Sequence, residues 1–433
     1  MTKSSTWSAL RNSAFRRLWI ATVISGTWVA AHNDAATWMI NLLTGPPVLI
    51  SLMATVTSLP FFLFTLPAGV LADKVNRQKF VCAINLWLAA IAAGLAALGW
   101  LHLLNPYLIL ASVFLLGVGF AFNAPAWTTI VSQVVSDGEL PSAATLSGLQ
   151  LNISGIIGPL LGGFLIPLVG TNFVFAVNAS CFLLVVLAIR RLQQPPVTAK
   201  LPSESFFKSF ATVVRYVRCV PALQIVLTRN FLFALFISAI PALLPTVGLK
   251  VLHLGSSQLG LLFTSMAGGS VIGAVFVISW LRARFSPDSV TLSGNLLIVL
   301  AYVLMAFVRQ AEPFCIVAAV AGVGWTLSAS ELWVAAQRAV PSWARGRVNA
   351  AVIMISQGAV TLGSVIWGSA GAILGASSTL LAAAILLLVG LVLSRRLSIN
   401  FAVDPEERIS RFLSITEDPR APTSTALTAL FPS

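Results

Sequence analysis

Two acidic residues lie deep inside long apolar stretches of the chain. Asp34 occurs within "AAHNDAATW" and Glu331 within "SASELWVAAQR". A carboxylate in apolar surroundings is costly to keep charged, and it can take up or release a proton when those surroundings change. We therefore expect proton exchange at Asp34 and Glu331, with His32, two residues before Asp34, as a third candidate. A structural, hydrogen-bonded role is the alternative for each of the three.

A second group of residues has the chemistry of a binding site for a bulky organic molecule. Amide side chains donate and accept hydrogen bonds, and tryptophan rings offer broad apolar faces. The residues that we place around a central cavity are Asn33, Trp38, Asn123, Trp127, Asn152, Trp325, Trp333 and Gln357. Tryptophan also occurs at membrane interfaces and between helices, so a packing role stays open for these residues.

No grouping of residues suggests an enzyme, a metal site or a cofactor. The four cysteines, Cys82, Cys181, Cys219 and Cys315, lack the spacing of metal ligands. The sequence also has no recognisable Ser/His/Asp set and no glycine-rich phosphate loop. We expect no catalytic residues, no metal and no cofactor.

The apolar stretches that carry these residues are long and numerous. The chain has 433 residues, 58% of them hydrophobic and 9% charged, and its mean hydropathy is +0.93. A soluble domain carries about 25% charged residues, whereas apolar runs of about 20 residues cross a membrane. We predict an all-α membrane protein whose twelve transmembrane helices lie at 17–42, 49–72, 80–101, 106–134, 139–168, 171–191, 223–249, 256–281, 286–308, 313–337, 345–371 and 374–394.

The formal net charge of +13 originates in the connections between these helices. Nearly all of the 26 Lys and Arg residues fall on the side of the N-terminus, and Lys250 and Arg309 fall on the other. Because positive charge collects on the cytoplasmic side of a membrane, both termini are predicted to be cytoplasmic. The basic charge needs no nucleic-acid partner, so we expect membrane lipids as neighbours and no nucleic acid.

The sequence also repeats itself at one constant offset of 205 positions. This shift superimposes Gly117 on Gly322, Gly119 on Gly324, Gly158 on Gly363 and Gly163 on Gly368. We predict two like-oriented bundles of six helices, residues 1–191 and 223–396, with a substrate site between them. Residues 192–222 are expected to form a cytoplasmic linker with an interfacial helix, and residues 397–433 a cytoplasmic tail.

A short charged stretch, "GVLADKVNRQK", connects the second and third predicted helices. It resembles the signature loop of the major facilitator superfamily, Gly-x-x-x-Asp-Arg/Lys-x-Gly-Arg-x-Arg/Lys. The matching residues are Gly69, Asp73, Lys74, Arg77 and Lys79. Asn76 stands where the family has glycine, a mild departure because asparagine tolerates a positive φ.

The resemblance implies that this loop is a conformational latch. Gly69 would let helix 2 approach helix 11 closely. Asp73 would pair with cations and with a helix N-terminus, and so hold the two bundles together while the outer side is open. Arg345 and Arg347, at the predicted start of helix 11, are the partners that we expect for Asp73. A loop with ordinary positive charges is the simpler alternative.

Helix 5 contains a second motif, "SGIIGPLLGG". It resembles the Gly-Pro-x-x-Gly-Gly element found mainly in exporters and antiporters of the same superfamily. Gly158, Gly162 and Gly163 would permit close helix contact, and Pro159 would kink the helix. Glycine-rich packing of an ordinary membrane bundle is the alternative.

Three further phrases resemble the bacterial enterobactin-exporter-like branch, also described as transmembrane secretion effectors. They are "LRNSAFRRLW", "LLGVGFAFNAPAW" and "WVAAQRAVPSWARGRVNA". The branch implies an exporter of the bacterial inner membrane that moves a siderophore or a drug by alternating access, with proton antiport, and we expect a monomer. Drug–proton antiporters usually carry an arginine where Val113 stands, so coupling by that route is open. A lysophospholipid flippase or a facilitated importer of the same fold is the alternative function.

Overall fold

The structure, a computed structural model, describes residues 7–43, 46–192, 217, 221–339, 345–394 and 397–399. The side chains of residues 73, 74, 137, 221 and 345–347 lie outside this description. The predicted linker, 192–222, and the predicted tail, 397–433, fall almost wholly outside the described residues. The interfacial helix and the tail therefore stay predictions.

Twelve long helices and no strand make up the described ranges, which confirms the predicted fold class. The helices are α1 (Ser13–Leu42), α2 (Pro47–Lys74), α3 (Arg77–Trp100), α4 (Pro106–Val134), α5 (Leu140–Val169), α6 (Thr171–Arg190), α7 (Ala222–Val251), α8 (Ser256–Arg282), α9 (Pro287–Phe307), α10 (Ala311–Arg338), α11 (Arg345–Leu374) and α12 (Ala376–Ser394). A single π-helical turn, Val247–Val251, ends α7, and another interrupts α8 at Gly273–Val277. Among the described residues, eleven of these helices are long and apolar enough to cross a membrane. The twelfth is α1, whose apolar run is interrupted by the polar residues around Asp34.

Asparagine side chains fix where several helices begin. Asn12 and Asn105 accept hydrogen bonds from backbone N–H groups in the first turns of α1 and α4. Asn76 caps α3 in the same way, with its Oδ1 3.1 Å from the backbone nitrogen of Lys79. Its φ is −65°, so our explanation of this position by a positive φ is wrong. Asparagine fits there because it is a favourable N-cap residue.

The helices form two bundles that meet along a few long contacts. We call the face where α1 begins and α12 ends the terminal face, and the face where α1 ends and α2 begins the distal face. Helices α1–α6 contact one another, as do α7–α12. The bundles meet mainly where α2 lies against α7 and α11 and where α5 lies against α8.

Glycines related by the offset of 205 make corresponding contacts within the two bundles. A Cβ atom added to Gly158 of α5 would lie 2.5 Å from the carbonyl oxygen of Thr27 in α1. A Cβ atom added to Gly363 of α11 would likewise lie 2.5 Å from the carbonyl oxygen of Leu235 in α7. Both distances are shorter than a real Cβ contact allows, so glycine is what brings α5 onto α1 and α11 onto α7.

A second pair of glycines related by the same offset brings α5 and α11 into close contact with the other bundle. A Cβ atom at Gly163 of α5 would lie 3.0 Å from the Cα atom of Gly260 in α8. A Cβ atom at Gly368 of α11 would lie 2.7 Å from the Cβ atom of Ser51 in α2. Each repeat therefore uses one glycine for packing inside its bundle and another for contact between bundles.

Replacing Gly158 by alanine is expected to lower the free energy of unfolding by about 1–3 kcal/mol, because overpacking forces neighbouring atoms apart. The new Cβ atom would meet both Ala30 and the Thr27 carbonyl at 2.5 Å. The measurement is thermal unfolding of the purified protein in detergent. Gly94→Ala in α3 is the matched control, because a Cβ atom there meets nothing within 4 Å. Equal melting temperatures for the two variants would contradict the packing role of Gly158.

Candidate functional site

A cavity of about 310 Å³ lies between the two bundles. Its walls come from α1 and α5 on one side and from α8 and α10 on the other. The lining residues are Ala30, Asn33, Asp34, Gly155, Pro159, Phe263, Met266, Ala267, Ser270 and Trp325. The size and the mostly apolar lining with a few polar groups are typical of a small-molecule site.

Asp34 supplies the charge of this cavity. Among the described residues that line it, no other side chain is ionisable. Asp34 is 7% exposed, and its Oδ2 atom has no hydrogen-bond partner in the described part of the chain. A buried carboxylate oxygen without a partner is costly, so Asp34 is suited to receive a proton or a cationic group from outside the chain.

His32 lies on a different face of α1 from Asp34. Residues two apart on a helix are separated by about 200°. The His32 ring is buried in the N-terminal bundle, with its centroid 4.6 Å from that of Phe175 in α6. Neither ring nitrogen has a hydrogen-bond partner among the described residues. The structure therefore does not bring His32 and Asp34 together.

Glu331 has an ionic partner inside its own bundle. Its Oε1 atom lies 2.6 Å from Nε of Arg282, at the terminal-face end of α8. The Glu331 side chain is 3% exposed, whereas that of Arg282 is 43% exposed. Glu331 does not line the cavity, although α10 does so through Trp325. The two buried acids thus differ: Oδ2 of Asp34, at a cavity wall, has no partner among the described residues, whereas Glu331 is held in a salt bridge.

The structure places only part of the predicted binding set at this cavity, namely Asn33 and Trp325. The predicted residues that do not line it are Trp38, Asn123, Trp127, Asn152, Trp333 and Gln357. Trp127 instead packs against a core cluster of the N-terminal bundle, and Trp333 is exposed. Asn152 donates a hydrogen bond to the carbonyl of Gly148 in its own helix, at 3.1 Å.

The contribution of α8 to the cavity was missed by the sequence analysis. Phe263, Met266, Ala267 and Ser270 follow the i, i+3, i+4, i+7 spacing of one helical face. That spacing is visible in the sequence. It does not identify the cavity wall by itself, because a membrane helix is apolar on its other faces as well.

The motif in α5 divides its residues between two neighbours. Gly158 and Gly162 face α1, and Pro159 lines the cavity. Thr264 of α8 donates a hydrogen bond to the carbonyl of Ile156 at 3.0 Å. Pro159 has no N–H for the carbonyl of Gly155, four residues earlier, and the hydrogen bond from the other bundle is made to the next carbonyl along the helix, that of Ile156.

Hydroxyl hydrogen bonds join the two bundles at the distal face. The hydroxyl oxygens of Ser51 in α2 and Thr246 in α7 are 3.1 Å apart, and Ser257 of α8 donates to the carbonyl of Gly163 in α5 at 3.1 Å. Toward the terminal face, no described atom lies within 4 Å of a Cβ position at Gly69. The bundles are closed against each other on the distal side.

The profile of the transmembrane secretion effector family matches residues 4–414. The chain belongs to this family, within the major facilitator superfamily. Enterobactin exporter EntS of Citrobacter koseri is 26% identical over 270 residues, 60% of this chain and 62% of that protein. The match therefore spans less than two thirds of that relative. Multidrug efflux pump Tap of Mycobacterium bovis is 25% identical over 398 residues, 86% of this chain and 92% of that protein.

Solved structures share the fold. A bacterial homologue of the human lysosomal transporter Spinster, in an inward-facing and occupied conformation, superposes with a TM-score of 0.70 at 13% identity. The superposition covers 90% of this chain and 97% of that one. The family and its relatives are multi-pass membrane transporters, which confirms the predicted transport class and the expectation that the protein is not an enzyme.

The signature loop of the superfamily falls partly outside the description. The side chains of Asp73, Lys74, Arg345 and Arg347 are not among those described. Their pairing stays a prediction, and the close approach of α11 to Gly69 is absent from the described atoms of this state.

Cysteines at Ser51 and Thr246 are expected to form a disulfide, because the two hydroxyl oxygens are 3.1 Å apart. The variant S51C/T246C is made with the four native cysteines replaced by serine, and oxidation is followed by counting free thiols with a maleimide. The control is G148C/V275C at the terminal-face ends of α5 and α8, where a Cβ atom at Gly148 meets nothing within 4 Å and Val275 is 56% exposed. Equal crosslinking of both pairs would contradict closure restricted to the distal side.

Proposed function

We propose that this protein exports a bulky organic small molecule, a siderophore or a drug, across the bacterial inner membrane by alternating access with proton antiport. The observation that carries the proposal is the cavity between the bundles. Its wall holds a carboxylate with no partner for Oδ2 among the described residues, and it is closed toward the distal face. Relatives named as an enterobactin exporter and a multidrug efflux pump support the direction of transport.

The positive charges support an orientation with the terminal face in the cytoplasm, because nearly all Lys and Arg residues lie on that side. In that orientation, the described state has its outer side closed. Export then requires the distal contacts to break, and these are hydroxyl hydrogen bonds and glycine packing. A single hydrogen bond of this kind is worth about 0.5–1.5 kcal/mol, so a small set of them can form and break in each cycle.

Asp34 is the residue to which we assign the proton. It lines the cavity and lacks a partner among the described residues, so a proton bound there would be exposed to the arrival and departure of substrate. Arg282 already compensates the charge of Glu331, and His32 is packed inside one bundle. These two residues are therefore the second and third candidates.

Asp34→Asn is expected to reduce export roughly tenfold or more and to remove its dependence on the pH gradient, because an amide cannot release a proton in exchange for substrate. The transported compound is first identified in two ways. The compounds that cells release under iron starvation are compared with and without the gene, and growth of the same cells is compared on a panel of drugs. Uptake of that compound is then measured in everted membrane vesicles. Glu331→Gln makes the same chemical change away from the cavity and should retain the gradient dependence. If export by Asp34→Asn still depended on the pH gradient, proton coupling would have to occur at another residue.

The signature loop is proposed to act in the opposite state, with Asp73 paired to Arg345 or Arg347 and the outer side open. A carboxylate at a helix N-terminus contributes about 0.3–1 kcal/mol. Asp73→Asn should therefore lower transport by up to about fivefold and increase S51C/T246C crosslinking, because the population shifts toward the state closed at the distal face. Asp137→Asn, in the connection between α4 and α5 on the same face, is the control. Full transport and unchanged crosslinking in Asp73→Asn would remove the latch.

A further inference from the structure

We infer that the cavity selects organic cations, so that the exported compound is an amphipathic amine or another lipophilic cation rather than an acidic siderophore. This inference rests on the proposed export function and specifies the substrate class of the same site.

The charge at the cavity wall is negative. Asp34 is the one ionisable residue among the described residues that line it, and no Lys or Arg stands beside it there. A carboxylate or catecholate entering this space would meet a like charge in surroundings of low dielectric constant, where repulsion is strong. A cation would instead be attracted by the charge of Asp34, which lines the same space.

The opposite wall of the cavity is aromatic and polarisable. Trp325 of α10 and Phe263 and Met266 of α8 face the cavity from the C-terminal bundle, whereas Asp34 faces it from the N-terminal bundle. An aromatic face attracts a cation with about 0.5–2 kcal/mol, and a thioether is polarisable and adapts to different shapes. A cation held between Asp34 and Trp325 would contact both bundles.

Uncharged polar groups are few at the cavity wall. Among the described lining residues, the neutral hydrogen-bonding side-chain groups are those of Asn33 and Ser270 and the indole N–H of Trp325. A ligand rich in hydroxyl or acidic groups would lose its hydration without replacement in such a site. An amphipathic cation, with one charge and a large apolar surface, matches one carboxylate surrounded by aromatic and aliphatic side chains.

The test uses two ions of nearly equal shape and opposite charge, tetraphenylphosphonium and tetraphenylborate. Binding of each to the purified full-length protein is measured separately by equilibrium dialysis, because the two ions precipitate together. The ratio of the two dissociation constants is determined for each variant and compared between variants. Partition of the ions into detergent is the same for every variant, so it cancels in this comparison. Asp34→Asn is expected to reduce the preference for the cation roughly tenfold, and Asp34→Glu to preserve it.

Matched controls separate charge selection from general damage. Glu331→Gln removes a buried acid outside the cavity and should leave the ratio unchanged. Trp325→Leu should weaken tetraphenylphosphonium binding about threefold, an effect of cation–π size, while Trp333→Leu, on the exposed surface of the same helix, should not. If Asp34→Asn fails to fold, the comparison of Trp325→Leu with Trp333→Leu still tests the proposal.

Two outcomes overturn the inference: no binding of tetraphenylphosphonium to the wild type, or the same ratio in the wild type and in folded Asp34→Asn. Vesicle export of the compound found in the cell comparison is measured alongside. If export continues while the cation preference is absent, only the substrate class is wrong. If wild-type vesicles export nothing, the proposed function itself fails.

Discussion

Close backbone contact between helices is the constraint on which this structure depends. Lipid is as apolar as the side chains it touches, so helices in a membrane associate through close packing and hydrogen bonds rather than through the hydrophobic effect. Gly158 and Gly363 bring α5 and α11 onto their own bundles, and Gly163 and Gly368 bring the same helices to the other bundle. Contacts made of backbone and hydroxyl groups close the distal face, so separating them breaks no ion pair among the residues described there.

The packing of the two repeats is symmetric, but their charges are not. The corresponding glycine contacts align α1 with α7 so that Asp34 matches Ala242, and the offset of 205 matches Glu331 with Ala126. Both alanines are 0% exposed. Each repeat thus keeps the close-packed framework, while each buried acid occurs in one copy. A cavity between two such repeats receives a single carboxylate, and this avoids the repulsion that two symmetric acids would bring to a small space of low dielectric constant.

The sequence predicts the helices well because length and apolarity suffice to identify a membrane span. It does not distinguish the settings of the two acids. In the sequence, Asp34 and Glu331 are both single carboxylates in apolar helices. They differ in the structure because Glu331 has an ionic partner, Arg282. This partner lies 49 positions away and reaches Glu331 only through the packing of α8 on α10. Asn33 was predictable from its neighbour Asp34. The cavity face of α8 could not be predicted. A helix that is apolar on all sides has no hydrophobic periodicity to show which side faces the cavity. Asn76 shows a different kind of error. Its tolerance in the signature loop was explained by a positive φ, whereas in the structure it is an N-cap residue with a negative φ.

An unpaired carboxylate at a cavity wall destabilises the fold that contains it, whereas the Arg282 partner stabilises Glu331. The counterpart of Asp34 in α7 is a buried alanine, so packing alone does not require a carboxylate at this position. In the proposed cycle, a proton and an organic cation compete for this carboxylate, because each neutralises the one negative charge among the described residues that line the cavity. We infer that this competition needs no second charged group, which is consistent with Val113, buried in the apolar core, at the α4 position where drug–proton antiporters of the superfamily usually carry arginine. Exchange of a proton for an organic cation at this one carboxylate would then be sufficient to couple the proposed export to proton entry.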